Sequence, residues 1–169
     1  MRIGIMGTVD VTPNQKGSIG EALIFKGRIV PQPISKAIEE FVKKTYDVAE
    51  STSVSISAEN GMYLKASIGD GKSVSTFTDG GFSTSWIPKR HEREITRSPE
   101  GYVRNRRDLE DESAFFPAEV KTGRHAELER DQRETLETVA SSNTRQHPVL
   151  VRVQIEKLPE QYEVSTRFL

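Results

Sequence analysis

The sequence predicts a mixed α/β fold, with a mixed sheet, helices packed on it and an antiparallel meander. Three observations carry this. Residues 53–87 alternate β-branched or aromatic residues with Ser and Thr and are cut by Asn60-Gly61, Asp70-Gly71 and Asp79-Gly80, which are hairpin signals. Residues 114–155 read as strand, helix, strand with short connections, a crossover unit whose two strands must be parallel. Two stretches before residue 47 carry helical apolar faces. A chain of 169 residues with 34% hydrophobic content fits one domain, 1–169, with a modest core.

The first helix is predicted over 17–30, "GSIGEALIFKGRIV", ending at Pro31. Asn14 or Ser18 is its candidate cap, and Ile19, Leu23 and Ile24 form its apolar face. The second is predicted over 34–46, with Ser35 as N-cap, a Glu39/Lys43 pair at i,i+4, and a stripe of Ala37, Ile38, Phe41 and Val42. The meander follows over 53–87, with Asp70 and Asp79 in turns that Asp commonly stabilises. Residues 88–113 connect it onward, rich first in basic residues (Lys89, Arg90, Arg93, Arg97, Arg104, Arg106, Arg107) and then acidic, "DLEDE". A solvated loop and a phosphate-contacting segment both fit this run.

The next strand, "FFPAEVK", places Phe116, Ala118 and Val120 on one face and Glu119 and Lys121 on the other. Pro117 removes one ladder donor and predicts an irregular strand. A helix from about Ala126 to Ser141 follows, with Leu128, Leu136, Val139 and Ala140 as a narrow apolar stripe. "HPVLVRVQI" is the returning strand, and "LPEQYEVSTRF" adds a turn and a last strand.

Several classes are excluded or disfavoured. There is no cysteine, so disulfides and thiolate metal sites are absent. No apolar run is long enough to span a membrane, and the N-terminus lacks a secretory pattern, so a cytoplasmic protein with no membrane partner is expected. His91, His125 and His147 are too scattered for a zinc site. "GDGKS" lacks Walker spacing, and there is no Gly-x-Ser-x-Gly elbow. Trp86 reads as packing. The net charge of −1 gives no global attraction to nucleic acid, so any such attraction must be local.

Alone, Glu119-Val120-Lys121 is a common tripeptide, and an exposed ion pair worth at most about 1 kcal/mol explains it. The ordered set is more specific: "PAEVKTG" at a strand end, Gln132 in the following helix "ERDQRETL", and Glu21 far upstream in the Gly-rich "KGSIGEALIF". It resembles the PD-(D/E)XK nuclease superfamily, and in motif layout its archaeal Holliday-junction resolvase-like members. The likeness covers 114–155 well and 17–30 weakly, and the meander has no counterpart in it.

The resemblance implies a restriction-endonuclease-like fold and a Mg²⁺-dependent deoxyribonuclease, an endonuclease with a preference for DNA structure, with Mn²⁺ able to substitute. It implies DNA as partner and a homodimer as the assembly that cuts two strands. Glu119 becomes a metal ligand, since Mg²⁺ takes oxygen donors. Lys121 contacts the scissile phosphate or orients the attacking water. Gln132 positions Lys121 or the substrate, and Glu21 assists the metal.

The family's second acidic ligand sits on the strand before Glu-x-Lys, often after a Pro that is missing here. Asp108 is the first choice, on the assumption of a hairpin through "EDES". Asp111 is the second and Asp79 the third. Arg104, Arg106, Arg107 and Arg124 are the expected phosphate contacts. The alternative function is a catalytically silent module that binds nucleic acid or protein through the Arg-rich segment and the meander.

Overall fold

The computed structural model describes residues 12–27, 29–49, 52–91, 111–123, 126–142, 144–157 and 161–169. The first helix, α1, spans Pro13–Phe25 and begins earlier than its apolar pattern. Its start is a capping box: Thr12 Oγ1 accepts from the Gln15 backbone N–H, and Gln15 Oε1 accepts from the Thr12 N–H. Pro13 at the first helical position needs no donor partner. Thr12 therefore takes the cap role expected of Asn14 or Ser18. Helix α2 spans Gln32–Thr45 behind Pro31. Ser35 lies inside it and donates to the Gln32 carbonyl instead of capping. Ile34, Ile38 and Val42, four residues apart, form its buried edge.

Strands β1 (Ser55–Asn60), β2 (Tyr63–Gly69), β3 (Lys72–Phe77) and β4 (Gly80–Trp86) follow, but not as a meander. β1 pairs with β4, and β2 with β3 in a separate two-stranded sheet. Of the three hairpin signals, only Asp70-Gly71 turns a hairpin. The other two form the neck of an insertion, where the chain leaves and re-enters the main sheet. Thr78 closes that neck: its N–H donates to the Met62 carbonyl at 2.9 Å, and its hydroxyl meets both Met62 backbone groups. Gly61 is needed there, because a Cβ would lie 2.4 Å from the Thr78 carbonyl oxygen. A local dipeptide encodes the corner but not which strands meet beyond it, and that is why a meander and an inserted hairpin read alike.

β5 (Glu112–Thr122), helix α3 (Arg130–Ser141) and β6 (Val149–Lys157) form the crossover, with β5 and β6 parallel as expected. β7 (Gln161–Phe168) returns antiparallel to β6. The main sheet has the order β1-β4-β5-β6-β7. β5 is unbroken despite Pro117. Phe115 exchanges bonds with Arg145 and His147 on the β6 side, and the β5–β6 ladder resumes at Ala118. Pro117 thus falls between the two, and only one donor is lost.

One face of the sheet holds the main core. Ile24, Ile34, Ile38 and Val42 of the first two helices meet Phe82, Phe116, Ala118, Val120, Val149, Val151 and Val153. Burying each large aliphatic or aromatic side chain contributes roughly 1.5–3 kcal/mol. Helix α3 covers the other face, where Glu119 and Leu150 lie in register, and the β2–β3 hairpin packs on α3. Trp86 is buried packing, as expected. Among the described residues, no helix is long and apolar enough to cross a membrane.

Candidate active site

The period of a strand puts Glu119 and Lys121 on the α3 face of β5. Glu119 is fully buried, and the Lys121 side chain is 19% exposed, so an exposed ion pair does not describe them. Their separation is 3.7 Å, and Gln132 from the first turn of α3 lies between them. Its Oε1 accepts from Lys121 Nζ at 3.0 Å and from the Glu129 backbone N–H at 3.2 Å. Its Nε2 donates to Glu119 Oε2 at 3.1 Å. Two donors on Oε1 and one acceptor on Nε2 fix the orientation of the amide. The helix start therefore anchors the side chain that joins the two motif residues.

Asp79 completes the group from the other side. β4 begins at Gly80, opposite Ala118, so no β4 backbone carbonyl is in place for the next inward N–H of β5. Asp79 Oδ2 takes that donor, the Val120 N–H, at 2.7 Å. The carboxyl thereby comes within hydrogen-bond reach of Glu119. Were both groups ionised, neither could donate to the other, and Glu119 Oε1 is buried with no hydrogen-bond partner among the described residues. Burial first, and then Asp79, push the Glu119 carboxyl up to about 8, and Lys121 offsets only part of this.

Glu21 reaches the same end of the sheet from α1. Gly20 makes the approach possible: a Cβ there would lie 2.5 Å from Thr122 Cγ2 and 3.6 Å from Val120 Cγ1. Burial and then Asp79 raise the Glu21 pKa, while Lys26 and Lys121 lower it. Arg152 lies beside Lys121 in the parallel register, and its guanidinium donates to the Ala126 carbonyl, tying the segment before α3 to β6.

The structure thus brings together Glu119, Lys121, Gln132 and Glu21 with Asp79, the third of the acidic candidates. Asp111 is exposed and precedes β5, eight residues from Glu119 and about 26 Å away along a strand. The hairpin assumed through "EDES" does not form, because Glu112 and Ser113 pair with Trp86 and Ser85 inside β5. Asp108 itself lies outside the described residues, as do Arg104, Arg106, Arg107 and Arg124. Asp79 stands only third among the sequence candidates because Asp before Gly also marks a turn, and its bond to Val120 spans 41 positions.

A family model, the PD-(D/E)XK nuclease superfamily domain, matches residues 14–169. The chain belongs to the PD-(D/E)XK nuclease superfamily. The match names the superfamily and none of its branches, so it gives no support to a resolvase likeness. No curated protein and no solved structure matches the chain.

Superfamily nucleases typically use a divalent metal. Among the described residues, no three His, Cys, Asp or Glu side chains form a complete ligand set. Mg²⁺ asks for less, since it binds through one or two carboxylates and fills its shell with water and substrate phosphate. An unpartnered buried carboxylate oxygen beside a second carboxyl fits such an ion.

Proposed function

We propose that this nuclease domain is a Mg²⁺-dependent deoxyribonuclease in which Asp79, rather than Asp108, joins Glu119 as metal ligand. Gln132 carries the reading: one amide bonds both the buried carboxylate and the lysine, so the two are held in fixed relation by a third group. A surface ion pair needs no such arrangement.

Asp79 and Glu119 Oε1 would hold the cation, with Mn²⁺ able to replace Mg²⁺. When bound, that ion neutralises charge on the phosphate and activates water. Lys121 supplies a fixed positive charge where negative charge develops on the scissile phosphate. Gln132 is a positioning residue that keeps Nζ aimed and holds Glu119 Oε2. Glu21, exposed beside Asp79 and Lys121, would assist the ion from outside its direct ligands. Arg104, Arg106, Arg107 and Arg124 are the proposed contacts to phosphates on either side of the cut.

Incubation of the purified protein with plasmid, duplex and single-stranded DNA tests this. Cleavage in Mg²⁺ that stops in EDTA is expected. Binding without cleavage under every metal condition would favour a silent module.

A further inference from the structure

The β2–β3 hairpin has two faces of different character. Leu64, Ala66, Val74 and Thr76 turn toward α3. Tyr63, Lys65, Ser67, Ser73, Ser75 and Phe77 form the outer face, and every one of them is exposed. Tyr63 and Phe77 are 55% and 70% exposed and sit opposite each other, with ring centroids 5.1 Å apart. The two open rings lie side by side as one apolar patch, the kind of surface that interaction sites use. On the same face the nearest charge is Lys65, and no carboxylate belongs to these strand positions.

The position of the pair matters most. Phe77 is two residues before Asp79, a span of at most about 7 Å of chain. The Thr78–Met62 bonds clamp both ends of the hairpin at the neck, so the ring pair is fixed relative to the site.

We infer that Tyr63 and Phe77 form a stacking platform for an unpaired base next to the cleaved phosphodiester, with Lys65 on its phosphate, so that the substrate is DNA with a single-stranded segment at the cut. This rests on the nuclease reading above and specifies its substrate. An unpaired base offers a free π-face, and stacking of this kind is worth roughly 1–3 kcal/mol per base. Paired bases inside a duplex present only their edges.

The test uses full-length protein in EDTA, so that binding is read apart from cleavage. A single-stranded oligonucleotide carrying a fluorescent adenine analogue and a blunt duplex are titrated with wild type, Phe77→Ala, Phe77→Trp and Tyr63→Ala/Phe77→Ala. Wild type should quench the analogue in the single strand. Phe77→Ala should lose the quenching and weaken single-strand binding roughly tenfold, by the same stacking energy. It should leave duplex binding unchanged, and Phe77→Trp should restore both properties. Matching melting curves show that the variants fold.

Equal losses for both DNAs, or none for either, would overturn the platform while leaving the nuclease reading intact. So would a wild-type dimer that Phe77→Ala splits without altering single-strand binding, since the face would then be a contact between two copies. Wild type that binds neither DNA would count against both readings.

Discussion

Asp79 accepts the Val120 N–H at 2.7 Å, so a side chain from the start of β4 completes the edge of β5 one residue past Glu119. This bond brings a second carboxyl beside Glu119, and in the proposed ligand pair it does so without the Pro that often precedes that Asp in the family. Thr78 takes the position of that Pro and spends its hydrogen bonds on the hairpin neck. Asp79→Asn keeps an acceptor for Val120 and removes the charge. Cleavage should fall about 100-fold or more, some 2.7 kcal/mol of barrier, with the melting temperature held. Asp111→Asn, at the far end of β5, should cleave like wild type. An active Asp79→Asn beside an inactive Asp108→Asn would return the ligand role to Asp108.

Glu119 makes the metal-free protein sensitive to pH. Its carboxyl titrates near 8 when folded, against an ordinary 4.5, so the folded state holds a proton that the unfolded chain has already released. The contribution of Glu119 to stability is therefore full below about pH 4.5 and is lost as pH rises toward 8. Thermal melts in EDTA should show this decline, and Glu119→Gln should flatten it. Adding Mn²⁺ should stabilise wild type most at the alkaline end and leave Glu119→Gln unmoved. A metal-free wild type whose stability rises through this range would contradict the burial of that carboxyl.

Gly20 admits a test that involves no catalysis. Gly20→Ala gains helix propensity of up to about 1 kcal/mol, but its methyl meets Thr122 Cγ2 at 2.5 Å. Overpacking of this kind costs roughly 1–3 kcal/mol, so a net destabilisation of up to about 2 kcal/mol is expected. Thr122→Ser removes the opposing methyl. In that background Gly20→Ala should become neutral or stabilising, as read from urea denaturation midpoints. The same loss in both backgrounds would mean that α1 does not press on β5 there.

The parts of this protein that obey short-range rules could be read from its sequence. Strand period put Glu119 and Lys121 together, and the spacing of "PAEVKTG" and "ERDQRETL" brought Gln132 within reach. The parallel β5–β6 pair followed from the length of its connection. What escaped was long-range. Asn60-Gly61 and Asp79-Gly80 look like hairpin turns, yet they bound an insertion, because only tertiary pairing tells a turn from a neck. Asp79 ranks only third among the acidic candidates for the same reason: its partner is Val120, 41 positions along the chain. The complete burial of Glu119 was also hidden, because it depends on α3 closing over that face and not on the residues beside it.

The most direct test of the central claim is the rate of DNA cleavage by Lys121→Ala in Mg²⁺. Lys121 Nζ meets Glu119 and Gln132 at the rim of the site, and its loss opens no core cavity. A folded Lys121→Ala that still binds DNA but cleaves at least about 100-fold more slowly is the predicted result. Cleavage at the wild-type rate would contradict the assignment of this site as the nuclease centre.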